Sequence, residues 1–357
     1  MKKLKIMFTG GGTAGHVTPN VALIEYFQKL GWDVLYVGSL NGIEREIIAN
    51  SDVRYLGIAS GKLRRYFDWA NFIDPIRIFW GFLQSIYISF TERPNILFSK
   101  GGFVSVPVVF AAWLLRIPVI SHESDVTPGL ANRLCYPFVK KLCVNFPETK
   151  EYLGSDNVIV TGSPVRQSLL YGRGQRGIDL LGFSQDKPII LIFGGSLGAT
   201  TINRVVRDSL HRLLSRYQVV HITGSGNLDK SLDLPGYQQW EFLDEDFGDV
   251  LAASSVVVAR AGANSIYELL VTRKPHILIP LSSRASRGDQ LVNAETFAAR
   301  GYSRVLLEEN FTSTSLTELI DNIYTNRSNI VEHIEKFQIV DSLNIIGSLI
   351  EATVNDC

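Results

Sequence analysis

Residues 8–20 read FTGGGTAGHVTPN, and residues 193–203 read FGGSLGATTIN. Each follows a short apolar run, KIMF at 5–8 and PIILIF at 188–193, and each leads into a segment of helical spacing. Strand, glycine turn and helix start thus occur twice, which is a repeat of architecture. It predicts an α/β chain of two Rossmann-like doubly wound domains facing each other across a cleft. Each domain would hold a parallel sheet covered by helices on both faces.

Working outward from the first turn, residues 19–30 carry apolar positions at helical spacing and stop at Gly31, a plausible C-cap. Strands are expected at 33–38, 53–58, 95–98, 118–122 and 142–145, with helices between several of them. In the second half, strands are expected at 188–193, 218–223, 239–242, 256–259 and 276–279. The boundary falls in a stretch rich in Gly and Arg. The expected division is residues 1–163, a linker at 164–187, and residues 188–357, with the last helix free to pack back onto the first domain.

A glycine turn after a strand lets backbone N–H groups approach an anion, and the helix start adds partial positive charge. It can also be no more than a tight turn. The first turn spaces Gly10, Gly12 and Gly15 as G-x-G-x-x-G. A dinucleotide would call for an acid at the end of the second strand. Asp33 stands at the wrong end of that strand and Glu44 comes late, so a diphosphate or a developing negative charge fits better. His16 follows at a helix start, where the dipole would keep its imidazole able to accept a proton. It reads either as a general base or as a local hydrogen-bonding residue.

The second half is denser in polar groups. ARAGANSIYE (259–268) follows a strand and opens a helix. Ala263, Asn264 and Ser265 could present N–H groups and a hydroxyl to phosphate, and Glu268 could hold two ribose hydroxyls or simply face the helix dipole. Asp289, Gln290 and Asn293 open another helix and suit sugar hydroxyls.

Totals narrow the choice. The 357 residues carry 35 basic and 35 acidic side chains, so no long-range pull on nucleic acid is expected. The three cysteines, Cys135, Cys143 and Cys357, form no C-x-x-C pair, which suits a reducing compartment. The opening MKKLKIMF reads as a first strand, not a signal peptide. Residues 103–120 and 76–90 are apolar but carry Arg116, Arg77 and Gln84, and neither reads as a membrane span.

Taken together, eight motifs in order resemble the peptidoglycan N-acetylglucosaminyltransferases that make lipid II, two-domain glycosyltransferases of the B-type fold. They are GGTAGH (11–16), SKGGFVSVPVVFAA (99–112), HESDVTPGLANRL (122–134), GSPVR (162–166), GGSLGA (194–199), EFLDED (241–246), RAGANSIYE (260–268) and DQLVNA (289–294). HESD and SRGDQ look like the variant of Gram-positive cocci. The resemblance implies inverting transfer of N-acetylglucosamine from UDP-N-acetylglucosamine to the C4 hydroxyl of the muramoyl sugar of lipid I. Arg166, Ser196, Leu243, Ala263, Asn264, Ser265, Glu268, Asp289 and Gln290 would belong to the donor site. Leu243 would lie by the uracil, Glu268 at the ribose, Ser196 and the 263–265 turn at the diphosphate, and Gln290 at the sugar. Thr13, Ala14 and Gly15 would border the donor sugar, with His16 facing the acceptor diphosphate. Where the family more often has GGTGGH and HEQN, this chain has Ala14 and Asp125, so the general base is either His16 or Asp125. Asp289 stands where many relatives carry a second glutamine. Helix starts could stabilise the departing UDP, so no metal and no cofactor is expected.

A lipid-linked acceptor implies contact with the membrane. Lys62, Arg64 and Arg65 precede an apolar, aromatic segment that includes Phe79, Trp80 and Phe82. That pattern suits an interfacial helix on anionic lipid, or a helix packed in the core beside a solvated loop. The implied place is the cytoplasmic face of the cell membrane, as a peripheral protein, with wall-synthesis proteins as further partners. Two other enzymes remain open: a nicotinamide-dependent oxidoreductase and another UDP-sugar lipid glycosyltransferase. A non-catalytic scaffold of wall synthesis is the third alternative.

Overall fold

The computed structural model describes residues 3–49, 51–61, 70–154, 157–195, 198–282 and 287–356. The chain forms two compact units, residues 1–165 with 340–357, and residues 166–339.

In the first unit the elements run β1 (Lys5–Thr9), α1 (Thr18–Lys29), β2 (Asp33–Ser39), α2 (Ile43–Ala49), β3 (Arg54–Ile58), α3 (Ala70–Glu92), β4 (Ile96–Ser99), α4 (Ser105–Leu114), β5 (Val119–Glu123), α5 (Leu130–Cys135), β6 (Lys141–Val144) and β7 (Val158–Val160). The strands form one parallel sheet in the order β3-β2-β1-β4-β5-β6-β7. Apolar side chains on both faces explain the near-continuous runs of the strands. Phe8, Phe27 and Phe98 pack on one side, and Met7, Leu97 and Val108 on the other.

The second unit holds α6 (Gln167–Leu170), α7 (Gly174–Leu181), β8 (Ile189–Phe193), α8 (Thr200–Arg216), β9 (Gln218–Ile222), β10 (Tyr237–Trp240), α9 (Phe247–Ala253), β11 (Val256–Ala259), α10 (Ala263–Val271), β12 (His276–Leu278), α11 (Asp289–Ala299), β13 (Arg304–Val305), α12 (Ser313–Thr325) and α13 (Arg327–Glu335). Its parallel sheet is ordered β10-β9-β8-β11-β12-β13. The edge strands β7 and β13, of three and two residues, are too short to leave a pattern in the sequence.

One expectation needs correction. The stretch 164–187 is no linker: α6 and α7 pack against α9, and Asp249 accepts from the Arg173 amide (2.7 Å) and pairs with Arg176 (3.1 Å). The C-terminal helix α14 (Ser342–Asn355) leaves the second unit altogether. It lies on α1 and buries Ile346 and Ile350 in the core around β1.

Candidate active site

Each sheet reverses its winding once. In the first unit the chain runs outward from β1 through β3, then resumes on the other side with β4. Loops at the carboxyl ends of β1 and β4 therefore flank a switch point, the usual ligand crevice of such sheets. The switch in the second unit lies between β8 and β11, so α8 and α10 begin beside it.

At the first switch point the glycine loop is braced from below. The Tyr36 hydroxyl donates to the Gly10 carbonyl at 2.9 Å. Glu44 is fully buried, and its carboxylate accepts from the amides of Gly12 (3.2 Å) and Ser39 (2.9 Å) and from the Ser39 hydroxyl. A Cβ on Gly11 would come within 2.5 Å of that carboxyl, so the loop and Glu44 fit only because residue 11 has no side chain. One consequence differs from the phosphate-cradle reading: the Gly12 N–H is spent on Glu44. His16 also sits differently from expectation. It ends a 3-10 turn (Ala14–His16), its amide donates to Thr13 O at 3.1 Å, and α1 begins only at Thr18. Thr13 is exposed; Ala14, Gly15 and His16 are half-buried.

The loop after β4 closes on this one. Gly102 holds φ at +86°, and a Cβ there would lie 2.1 Å from the Gly11 carbonyl oxygen. After β5, Glu123 is buried and organises the turn that carries Asp125. Its Oε1 accepts from the amides of Ser124 (2.8 Å) and Asp125 (3.0 Å); its Oε2 accepts from the Gly129 amide (2.8 Å) and Asn132 Nδ2 (2.9 Å). Asp125 itself stays partly exposed at the end of this buried frame.

In the second unit, α10 starts at Ala263 behind Gly262, an N-cap with no side chain to accept the first amides. Asn264 and Ser265 lie in its first turn, half-buried. Glu268 lies one turn further; crowding by protein pushes its carboxyl up to about 7, against the pull of Arg166. Arg166 also pairs with Asp244, beside half-buried Leu243. Arg166, the 243–244 turn and Glu268 are thus gathered at one place. Asp246, two residues on, pairs instead with Arg176 at 3.3 Å. The start of α11 is tied to the same edge: Gln290 Oε1 accepts from the Leu281 amide (3.0 Å), and buried Asn293 donates to Ala261 O (3.2 Å). Asp289 pairs with Arg287 at 3.6 Å. Ser196, Lys62, Arg64 and Arg65 lie outside the described residues.

Helix α3 settles the choice between a buried and an exposed stripe. Ile76, Phe79, Trp80, Leu83, Tyr87 and Phe90 recur three or four residues apart on one exposed face, with Trp80 at 58% and Phe79 at 61% exposure. The buried face carries small residues instead, Gly81, Ser85 and Ser89. Phe82 is the exception among the expected membrane residues: it is half-buried, off the stripe. Trp113 and Leu114, at the end of neighbouring α4, are also exposed.

The sequence marks no role for Lys100, His122 or Glu123, and offers Glu44 only as an acid that comes late for a ribose. The signal available was their charge or polarity beside apolar runs that read as buried strands, as in NILFSK and VISHE.

The two domains define a glycosyltransferase. The glycosyltransferase family 28 N-terminal domain matches residues 6–144, and the family 28 C-terminal domain matches residues 189–346. A protein of Clostridium botulinum (strain 657) is 49% identical over 97% of this chain and 98% of its own length. It is named UDP-N-acetylglucosamine–N-acetylmuramyl-(pentapeptide) pyrophosphoryl-undecaprenol N-acetylglucosamine transferase. A Legionella pneumophila (strain Paris) protein of the same name is also 49% identical, over 97% of this chain and 96% of its own. The chain belongs to this family of N-acetylglucosamine transferases. Crystal structures share the fold: Acinetobacter baumannii MurG (TM-score 0.75, 22% identity, 98% of this chain and 99% of that one) and the calicheamicin glycosyltransferase CalG4 (TM-score 0.73, 13% identity, 99% of each).

Proposed function

We propose that this chain moves N-acetylglucosamine from UDP-N-acetylglucosamine to the C4 hydroxyl of the muramoyl sugar of lipid I, with inversion, giving lipid II. The near-full-length identity to transferases of that name carries the reading. Within it, Glu268 holds the ribose, the first turn of α10 with Ser196 faces the diphosphate, and Leu243 lies by the uracil. Gln290 and Asp289 meet the sugar, and Arg166 orders this edge. Thr13, Ala14 and Gly15 border the donor sugar. The start of α10 behind a glycine N-cap supports the diphosphate assignment, because the amides and dipole of a helix start stabilise a leaving anion. His16 or Asp125 takes the proton from the acceptor hydroxyl. The rigid frame of Glu123 supports Asp125 in that role, and the braced glycine loop supports His16.

The enzyme works at the cytoplasmic face of the membrane as a peripheral protein. The outward stripe of α3 supports this, since large apolar side chains face out while small ones face the protein. Lys62, Arg64 and Arg65 would add attraction to anionic lipid.

The test is UDP release with UDP-N-acetylglucosamine and a short-chain lipid I analogue, without added metal. Acceptor-dependent release with a disaccharide product is expected. Donor binding without turnover would point instead to another lipid acceptor or to a scaffold. In the same assay, replacing the true base, His16→Ala or Asp125→Asn, lowers kcat by about 10²–10⁴-fold with little change in donor affinity. If both variants keep wild-type turnover, neither residue is the base.

A further inference from the structure

Lys100 begins the loop after β4, and its side chain is 1% exposed. Its amide donates to Thr9 O at the end of β1 (2.9 Å). Its ammonium lies 2.7 Å from His122 Nδ1 and donates to the Ser124 hydroxyl. The other ring nitrogen, Nε2, lies 2.8 Å from the Gly162 carbonyl oxygen. A carbonyl can only accept, so Nε2 carries the hydrogen. Nδ1 is then a lone pair, and Lys100 is the donor to it. Burial and the neighbouring ammonium both hold His122 well below its usual pKa, which keeps the ring neutral. Ser124 directly precedes Asp125, and Gly102, two residues after Lys100, is seated on Gly11. Lys100 therefore links the turn that carries Asp125 to the glycine loop that carries His16.

We propose that Lys100 is a positioning residue for the acceptor side of the reaction: gripped between His122 and Ser124, its ammonium locks the Asp125 turn to the two glycine loops and places a buried positive charge behind them. The proposal rests on the lipid I reading above, in which the acceptor diphosphate lies at this end of the first unit. The charged and titratable groups facing Lys100 are His122 and Glu123 on β5, Asp125 just beyond it, and Cys143 on β6. Burial draws the lysine down to about 7, and Glu123 and Asp125 oppose this only in part. The charge is therefore lost just above neutrality, and with it part of the acceptor-dependent rate.

Lys100→Met separates this role from simple packing, because it keeps the apolar stem and removes the charge. We expect turnover with the lipid I analogue at pH 6.5 to fall at least about tenfold. The calorimetric Kd for UDP-N-acetylglucosamine should stay within about twofold of the unmutated value. The alkaline limb between pH 6.5 and 8.5 should vanish from the kcat profile. In the unmutated protein, carbon-13 spectra of lysine Cε should show one lysine titrating near 7, below buried Lys274 at about 8, and only the former should be absent in the variant. A Lys100→Met enzyme with unchanged kcat and an unchanged profile overturns the proposal. If that variant does not fold, Ser124→Ala removes one partner alone; it should lower kcat and shift the alkaline limb, and wild-type behaviour overturns the proposal equally. An unmutated enzyme without acceptor-dependent UDP release overturns the lipid I reading, and the acceptor role of Lys100 with it. An active enzyme indifferent to Lys100 overturns the lysine alone.

Discussion

Glu44 is fully buried and Glu268 half-buried, and the two carboxylates do different work. The carboxyl of Glu268 is raised to about 7 by burial. Its stabilising effect is full below the unfolded value of about 4.5 and is lost as pH rises through 7. Glu268→Gln should therefore flatten the fall in apo stability between pH 5 and 8, by about 3 kcal/mol at most, as read from denaturant melts. Glu268→Ala should weaken UDP-N-acetylglucosamine binding by about 10- to 100-fold, the worth of hydrogen bonds to a charged group. An unchanged Kd by calorimetry would remove Glu268 from the ribose. Glu44 touches no expected ligand. It holds the amides of Gly12 and Ser39, and Glu44→Ala leaves both without their acceptor. A stability loss of about 2–4 kcal/mol is expected, with reduced turnover from a slackened glycine loop. The motif marks Glu268 in the sequence, but nothing local marks the bracing by Glu44, whose partner Gly12 stands 32 residues away.

Helix α3 reverses the usual arrangement of a surface helix. Gly81, Ser85 and Ser89 let the backbone come close to the protein, and a Cβ on Gly81 would meet the Ala59 carbonyl at 2.0 Å. Ile88 still packs against the core, but the large apolar residues of the outward stripe do not. Ile76, Trp80 and Leu83 changed together to Ser should abolish most vesicle binding while shifting Tm by no more than a few degrees, because little buried area is lost. A large fall in Tm would mean the stripe packs inside the protein after all. Neutralising Lys62, Arg64 and Arg65 should weaken binding to anionic vesicles most at low salt. Apolar spacing in the sequence located this helix, but the same spacing serves a core-facing and an outward stripe equally well.

The two units are built alike but do not divide the chain cleanly. The first is completed by the last eighteen residues, 340–357. Ile346 and Ile350 of α14 are fully buried beside Phe27 and Ile24 of α1, and Tyr26 donates to Glu351 at 3.2 Å. Ile346→Ala should cost about 2–5 kcal/mol, seen as an earlier melt of the first unit. Truncation at residue 339 should cost more, leaving α1 with an uncovered apolar face; a truncated chain as stable as the whole would show that α14 is dispensable. The motif residues follow the same division. Arg166, Leu243, Glu268 and Gln290 fall in the second unit, and His16 and Asp125 in the first.

The sequence by itself determined two parallel α/β domains and the turns that end their strands. Those features are local: an apolar run buried on both faces, a glycine turn and a helix start each leave their mark within a dozen residues. It also placed Arg166, Glu268 and Gln290 on motif loops, because the residue types and spacings are characteristic. Only the tertiary structure decided that α14 belongs to the first unit and that 164–187 folds into helices on α9. It alone showed the α3 stripe turned outward, and Glu44, Lys100 and His122 buried as a polar frame beneath the loops. The physical reason is common to all four. Each is set by which surfaces meet across the fold, and an apolar face or a lone charge in the sequence does not name its partner.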